Sequence, residues 1–259
     1  RFKLRGWSRI LITTVSWVFI TFIILQYFTI LLSALSRYQN GELVLTLKHI
    51  KNFSFDQLES FWRSIKYALA TGFIGSLIGL LLSYFIDRSK IPGVKILDMI
   101  ATLPYIMPGT FFCIGYILAF NQEPLYLTGT SLIVLLNFIY RQMPLVTKSG
   151  SAVLSNINPN LEEAARDLKA TKLSIIKDII LPLLKPAFLV SFVNNFAVTM
   201  TSIGAVIFLI YPGGSIATVE MFNAIENGDY GLGSVIACMI IIATLTINLL
   251  FSRYILNDN

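Results

Sequence analysis

Hydrophobic residues in this chain are grouped into six long runs separated by polar connections. The runs extend over Ile10–Leu35, Tyr67–Ile86, Ile96–Phe120, Ser131–Val153, Ile179–Ile210 and Leu232–Leu256. Each reaches the roughly 20 residues that an α-helix needs to cross a bilayer. The first run is longer than the apolar core of a secretory signal and lacks an A-x-A cleavage pattern, so we expect it to be a span. The pattern predicts an all-α membrane protein with six transmembrane helices in one domain, 1–259.

Lysine and arginine are unevenly distributed among the polar connections. They are concentrated in residues 1–9, 88–95 and 148–177, whereas residues 121–130 and 211–231 contain neither. Because short cytoplasmic loops are enriched in these residues, both termini are predicted to face the cytoplasm. The connection 36–66 carries charges of both signs and is uninformative. The net charge of +6 is therefore a sign of topology, and we expect no binding to nucleic acid.

The composition supports a membrane protein and excludes several kinds of site. Of all residues, 55% are hydrophobic and 13% are charged, and the mean hydropathy is +0.72. The acidic residues lie in connections or at the ends of runs, so no carboxylate is available at mid-span for a proton relay or for catalysis. The single histidine, His49, is interpreted as a solvated loop residue. We predict no metal site and no enzymatic activity in this chain.

A nucleotide-binding loop is also missing from the sequence. The pattern G-x-x-x-x-G-K-[ST] does not occur, and GSLIGLLLS at 75–83 lacks the lysine that would hold a phosphate. If the chain takes part in active transport, ATP and Mg²⁺ must bind to another subunit. No cofactor is expected in this one.

Prolines and polar side chains interrupt the third and fifth runs. Pro104 and Pro108, on either side of Tyr105, are expected to kink the third span, and the kink either lines a passage or serves helix packing. In the fifth run, five polar side chains lie on one helical stripe: Ser191, Asn194, Asn195, Thr199 and Ser202. They either hydrogen-bond to neighbouring helices or line a pore. Both segments contribute candidate residues of a translocation pathway.

The other runs add one ionised residue and one row of small residues. Arg141 lies about 10 residues into the fourth run, or roughly 15 Å along a helix, and is a further pathway candidate unless that helix starts early enough to bring it near the cytoplasmic surface. In the second run, small residues recur every three or four positions: Ala68, Gly72, Gly75, Gly79 and Ser83. They allow another backbone to approach closely, either within the bundle or across a dimer.

A charged, helix-forming insert at 155–178 separates the fourth and fifth runs. Pro159 and Asn160 are typical of a helix start, and acidic residues follow in the first turn, where the helix dipole favours them. A second helical stretch is predicted at Leu173–Ile180. A narrow apolar face is formed by Leu161, Ala164, Ala165 and Leu168. This face suits a groove on a partner protein better than it suits the headgroup surface of a membrane.

The insert resembles the EAA motif of permease subunits in binding-protein-dependent ABC importers, E-A-A-x3-G-x9-I-x-L-P. The residues that match in register are Glu163, Ala164, Ala165, Ile179, Leu181 and Pro182. The resemblance implies the permease fold of type I importers, with six spans and a cytoplasmic coupling helix, in the plasma (inner) membrane of a prokaryote. Lys169 stands where the motif has glycine, which implies either a non-glycine turn between two helices or one continuous bend.

The resemblance also implies partners and roles for individual residues. Glu163 would be the main polar contact to a separate ATPase, and Ala164 and Ala165 would form the close-packing surface. The remaining residues of the implied coupling site are Glu162, Arg166, Asp167, Lys169 and Pro182. Closure of the ATPase on ATP would swing the spans from inward-facing to outward-facing. The implied partners are two ABC ATPase subunits, a second permease domain (homologous, identical or fused) and an external substrate-binding protein, besides the lipid bilayer.

The substrate is inferred from two segments, 137–168 and 217–237. They are more similar to ferric-iron permeases than to sugar or amino-acid permeases, especially in YRQMP at 140–144 and ENGDYG at 226–231, although polyamine, thiamine, phosphonate and sugar-phosphate permeases have overlapping patterns. The resemblance implies ferric iron or a ferric chelate. At the outer mouth, Glu220, Glu226 and Asp229 are either oxygen ligands for such a cation or solvated loop acids. The alternative from another class is an ATP-independent carrier or channel, in which the insert has no partner.

Overall fold

The fold is that of a helical bundle with one small hairpin, seen in a computed structural model that describes residues 6–39, 42–89 and 92–257. The long and short helices are α1 (Trp7–Leu35), α2 (Lys48–Lys51), α3 (Phe55–Ala70), α4 (Ser76–Arg88), α5 (Val94–Ile106), α6 (Gly109–Phe120), α7 (Ser131–Leu154), α8 (Asn160–Asp167), α9 (Lys172–Ile175), α10 (Leu181–Leu183), α11 (Lys185–Thr201), α12 (Ala217–Glu226) and α13 (Tyr230–Asn257). Single π-helical turns join α3 to α4 (Thr71–Gly75) and α9 to α10 (Ile176–Ile180).

Three helical segments in the described ranges are long and apolar enough to cross a membrane, namely Arg9–Leu35, Phe55–Arg88 and Tyr230–Arg253. A fourth is obtained if α5 and α6, whose axes are bent by 118° relative to each other, are counted as one span. This is fewer than the six spans predicted. The difference arises in the fourth and fifth runs, because charged and amide side chains interrupt the apolar surface of α7 and because α11 is only 17 residues long.

The sequence predicts the fifth run to be one helix, but the structure divides it into several segments. It contains part of a π-helical turn, the short helix α10 and then α11, and the chain leaves helical geometry at Ser202. Pro182 and Pro186 both lie at the first positions of a new helical segment, where a missing N–H does least harm. Prolines therefore divide the run into pieces without unfolding it.

The predicted kink in the third run is confirmed, and it is a complete break. α5 ends at Ile106, Met107 is extended with φ −95° and ψ 139°, and Pro108 precedes the first residue of α6. A residue before proline is pushed out of the α region, so the helix ends there. Pro104 lies inside α5 and does not end it. Of the two prolines, Pro108 is the one that turns the chain.

Two features of the first connection were missed by the all-α prediction. Strands β1 (Ser36–Gln39) and β2 (Glu42–Leu45) form an antiparallel hairpin directly after α1. α3 then begins at Phe55 instead of Tyr67, because Ser54 and Gln57 form a capping box in which each side chain accepts a hydrogen bond from the backbone N–H of the other. The helix from Phe55 to Arg88 is consequently 34 residues long.

The row of small residues in the second span packs inside the bundle, so the first of its two predicted uses is confirmed. A Cβ added to Gly79 would lie 2.7 Å from Val146 Cβ on α7, and one added to Gly72 would lie 3.0 Å from the ring of Phe192 on α11. On the opposite side of the contact, Gly150 of α7 faces Ser83. The side chains of Val146 and Ser83 fill the space above Gly79 and Gly150, so α4 and α7 lie close together and the end of α4 lies beside the insert.

Candidate functional site

The insert folds as the sequence predicts, with α8 at its start and α9 plus a π-helical turn after it. Glu162 and Glu163 lie in the first turn of α8 and Arg166 lies in the last, which complements the helix dipole at both ends. The backbone N–H of Asn160 donates to Asn158 Oδ1 at 3.0 Å, which satisfies one of the free donors at the helix start. A short helix thus has local stabilisation at its N-terminus.

One face of α8 is turned into the protein. Glu162 is 4% exposed, and Ala165 is packed in a hydrophobic cluster with Leu80, Leu154 and Ile175. The resemblance to the EAA motif predicts that both belong to the surface that meets an ATPase. The structure instead places them on the side that attaches α8 to the bundle, because the helix needs one anchored face to hold its position.

Glu162 is the centre of that attachment. Tyr84 donates its hydroxyl hydrogen to Glu162 Oε2 at 2.9 Å, Arg88 Nε lies 3.3 Å from Oε1, and Arg166 Nη2 lies 3.8 Å from Oε2. Arg88 also donates from Nη2 to the carbonyl oxygens of Leu154 and Ile157, at 2.9 and 2.7 Å. A buried carboxylate is tolerated only when it is paired and hydrogen-bonded. These contacts, the Glu162 latch, tie α8 to the ends of α4 and α7.

The face of α8 next to this anchored side is exposed and apolar. Leu161, Ala164 and Leu168 follow one another at spacings of three and four residues, so they form a single stripe, and Leu168 is 85% exposed. We call this stripe the coupling face. Glu163 and Asp167 are exposed beside it. An apolar stripe with an acidic border on a fixed helix is a surface suited to a groove on another protein.

Lys169 forms a non-glycine turn, the first of the two conformations that the sequence left open. Its φ is +63°, in the left-handed region. The N–H of Lys169 donates to the carbonyl of Arg166 at 2.8 Å, and the N–H of Ala170 donates to that of Ala165 at 3.0 Å. This is the Schellman arrangement that usually has glycine at the left-handed position. Lys169 therefore adopts the conformation for which the motif glycine is suited.

Substituting Lys169→Gly is expected to stabilise the protein. A left-handed conformation costs an L-residue about 1 kcal/mol that glycine does not lose, so we expect the midpoint of thermal unfolding in detergent to rise by roughly 2–4 °C. Lys177→Gly, at an exposed position within the π-helical turn, is the matched control and should lower the midpoint. An unchanged or lower midpoint for Lys169→Gly would contradict the assigned turn.

Part of the polar stripe of the fifth run makes hydrogen bonds between segments of the bundle. Asn195 Nδ2 donates to Ser76 Oγ at 3.0 Å, and both Asn195 and Thr199 are buried. The carbonyl of Ser202 accepts from Thr218 Oγ1 at 3.2 Å. Asn195 therefore makes the interhelical hydrogen bond that was one of its predicted uses. Asn194 is half-buried, so it remains a candidate for a polar lining.

The break between α5 and α6 brings the third and fourth runs together at Arg141. A Cβ on Gly109 would lie 2.9 Å from Arg141 Nη1 and 3.1 Å from the backbone nitrogen of Ala205. Nη1 is buried and has no hydrogen-bond partner within 6–39, 42–89 and 92–257. Pro104 is buried, whereas Tyr105 is 81% exposed, so these two neighbours do not share a surface. Among the pathway candidates, Arg141 therefore lies against Gly109, the residue that follows Pro108.

The three acidic residues of the predicted outer mouth are not gathered into one site. Asp229 Oδ1 accepts from the N–H of Leu232 at 3.0 Å, at the start of α13, and lies 3.5 Å from His49 Nδ1. Glu220 is half-buried and Glu226 is exposed. Among the residues that the structure describes, no three His, Cys, Asp or Glu side chains are grouped as a metal site.

The interpretation of His49 as a solvated residue is wrong. Its side chain is 13% exposed, and its ring fills the space above Gly231, where an added Cβ would meet it at about 2.2 Å. His49 lines a cavity of about 640 Å³ together with Arg37, Lys48 and Asp229. Only the three-dimensional contact with residues 229–231 distinguishes it from a loop histidine.

The sequence is similar to those of known permease proteins. The Ferric transport system permease protein FbpB of Actinobacillus pleuropneumoniae is 34% identical over 192 residues, which are 74% of this chain and 28% of FbpB. This chain thus spans less than a third of that relative. The putative 2-aminoethylphosphonate transport system permease protein PhnV of Salmonella paratyphi A is 27% identical over 242 residues, covering 91% of this chain and 90% of PhnV.

A solved structure shows the same fold. The crystal structure of a bacterial alginate ABC transporter, in complex with an alginate pentasaccharide-bound periplasmic protein, contains a chain that aligns with a TM-score of 0.74 at 16% identity, over 95% of this chain and 92% of that one. The profile of binding-protein-dependent transport system inner membrane components matches residues 75–256. This match covers more than half of the sequence, and the chain belongs to that family of inner-membrane transport components.

Proposed function

We propose that the chain is a transmembrane permease subunit of an ATP-driven importer and forms half of a translocation pathway. The observation that supports this most strongly is the coupling face, because it is apolar and exposed on a helix that the Glu162 latch holds against α4 and α7. Movement of a partner attached to this face would be passed to two long helices at once.

The contacts between helices support the proposed orientation. Phe55–Arg88 is one helix, so its ends lie on opposite sides of the bundle. Arg88 and α8 are at one end, where the neighbouring connections are rich in lysine and arginine. Ser234 donates to Ser33 Oγ at 2.9 Å near the opposite end, beside the hairpin. By the positive-inside rule, α8 is cytoplasmic and the hairpin is external. The three long apolar helices and the pair α5 and α6 would give four crossings. α7 and α11 would add two more as inner helices that are shielded from lipid.

The proposed partners follow from the same arrangement. Two ATPase subunits would bind below the membrane, with one α8 on each, and a second permease domain would supply the other half of the pathway. An external binding protein would deliver the substrate to the side that carries the hairpin and α12. A carrier or channel without an ATPase gives no role to an exposed apolar face on a latched helix.

For the substrate we propose ferric iron or a ferric chelate, supported by the 34% identity to a ferric permease. A phosphonate is the second candidate, because the phosphonate permease matches along nearly its whole length. Arg141 is compatible with both candidates, because a guanidinium in the pathway would favour an anionic ferric chelate or a phosphonate over a bare cation.

The cargo is tested by uptake in the native cell. Deleting the gene should abolish ATP-dependent uptake of ⁵⁵Fe, and the wild-type chain should restore it. Loss of 2-aminoethylphosphonate uptake with normal ⁵⁵Fe uptake would identify the second candidate. Uptake that continues after ATP depletion would contradict the importer itself and would favour the carrier.

A further inference from the structure

A second pocket, of about 590 Å³, lies beside the Glu162 latch between the end of α4 and the start of α9. Its polar walls are made by Arg88, Ser89, Arg166 and Lys172, and its apolar walls include Phe85 and Leu173. We propose that this pocket binds the phosphate headgroup of an anionic phospholipid of the inner leaflet. We call it the headgroup pocket.

The charge of the headgroup pocket favours an anion. Arg88, Arg166 and Lys172 all line it, and no carboxylate is among its lining residues in the described part of the chain. Glu162 does not line the pocket, but it lies next to Arg88 and Arg166, and its negative charge offsets one of the three positive charges. Arg88 is occupied by the carbonyl oxygens of Leu154 and Ile157, so it supplies a fixed positive wall.

Arg166 and Lys172 are the exposed basic side chains of the pocket and can reach a ligand. The Arg166 side chain is 58% exposed, and its 3.8 Å distance to Glu162 is long for a charge-assisted hydrogen bond. Lys172 is exposed. A guanidinium and an ammonium converging on one opening are suited to a phosphate group, for which both are common partners.

The apolar walls distinguish a lipid from a free phosphate. Phe85 lies on the long helix that crosses the membrane and is 45% exposed, and Leu173 is 75% exposed. An inorganic phosphate gains nothing from these side chains, whereas the glycerol and first acyl carbons of a phospholipid would cover them. Basic pockets at the cytoplasmic ends of membrane helices are suited to anionic headgroups.

The headgroup pocket and the coupling face are on different sides of α8. With about 100° between successive residues, Arg166 lies roughly 140° around the helix from Leu161 and roughly 160° from Ala164 and Leu168. A lipid and a partner protein can therefore be bound at the same time. Arg166 and Lys172 lie on either side of the Lys169 turn, so one phosphate held by both would fix the angle between α8 and α9. This effect on transport rests on the proposed function, whereas lipid binding rests only on the pocket and its orientation.

The test measures lipid binding by the purified chain. Dioctanoyl phosphatidylglycerol, dioctanoyl phosphatidylcholine and glycerol 3-phosphate are titrated separately into the protein in detergent, with thermal stability as the readout. Phosphatidylglycerol should raise the unfolding midpoint saturably, and the other two should not. The double variant Arg166→Gln/Lys172→Gln should bind phosphatidylglycerol roughly thirtyfold more weakly.

A matched control removes the same charge from the same side of the membrane. Lys169 and Lys177 are exposed and do not line the headgroup pocket, so Lys169→Gln/Lys177→Gln should change the affinity less than about threefold. Arg166→Lys is a second control, which distinguishes loss of the charge from misfolding. It keeps the positive charge and should therefore retain most of the binding.

Three outcomes would overturn the proposal. Equal weakening in the two double variants would mean that the lipid senses only overall charge. An equal shift with glycerol 3-phosphate would identify a free anion as the ligand, and an equal shift with phosphatidylcholine would mean that the lipid charge is not recognised. Failure of the importer assignment is separate, because it would leave the phosphatidylglycerol titration of the purified chain unchanged.

Discussion

Replacing Leu168 with glutamate will abolish ATP-driven uptake while leaving the chain folded in the membrane. Leu168 is 85% exposed, so the change removes almost no packing within this protein. In a partner's groove, however, the new carboxylate would lose its water without gaining a counter-charge. Loss of a central apolar contact in an interface costs about 2–4 kcal/mol, which corresponds to a loss of binding of roughly 30- to 1,000-fold. Uptake by cells that express the variant measures the effect.

Leu168→Met is the control, because methionine keeps an apolar side chain of similar volume and should support at least half of wild-type uptake. The unfolding midpoints of both variants should lie close to that of the wild type. Normal uptake by Leu168→Glu at wild-type abundance would show that the coupling face carries no partner.

Replacing Gly150 with leucine will prevent the helices from assembling. A Cβ at this position would lie 2.1 Å from Ser83 Oγ and 2.8 Å from Ser83 Cβ, so α4 and α7 would have to separate. Separation would also pull the Glu162 latch apart, since Tyr84 and Arg88 follow on α4. We expect a loss of more than about 4 kcal/mol and little folded protein, measured as the monodisperse fraction in size-exclusion chromatography.

Gly115→Leu is the matched control for this substitution. Gly115 also lies inside a helix, α6, but apart from the adjoining backbone of α6 an added Cβ there meets no atom within 4 Å in the described structure. Leucine has the higher helix propensity, so this variant should be at least as stable as the wild type. Comparable yields from the two variants would contradict the close approach of α4 to α7.

Much of the fold could be predicted from the hydrophobic pattern, and the exceptions have physical causes. The runs that became α1, α4 and α13 were found because each belongs to a long helix with a continuous, mostly apolar stretch. The start of α3 at Phe55 was missed because the capping box lies in a polar segment with no hydrophobic run. The hairpin was missed because four-residue strands are too short for an alternating pattern to be distinguished from a loop.

The location of α8 could be predicted, but its orientation could not. Pro159, Asn160 and the two acids that follow are local signals of a helix start. Which side of the helix turns inwards is decided by Tyr84 and Arg88, which are more than 70 residues away in the chain. The spacing of Glu162 and Arg166 was the available hint, because residues four apart share a helix face. The contact between His49 and Asp229 could not be predicted for the same reason, because these residues are far apart in the chain and meet only after folding.

Site-specific photo-crosslinking from position 168 tests the central claim most directly. A photoactivatable phenylalanine derivative would replace Leu168 in intact cells, and Leu45, which is 72% exposed in the hairpin, would be the control position. Our account predicts that Leu168 gives an adduct with a protein containing the loop G-x-x-x-x-G-K-[ST], and that Leu45 does not. An adduct at position 168 with lipid or an extracytoplasmic protein alone, or an ATPase adduct at position 45, would contradict it.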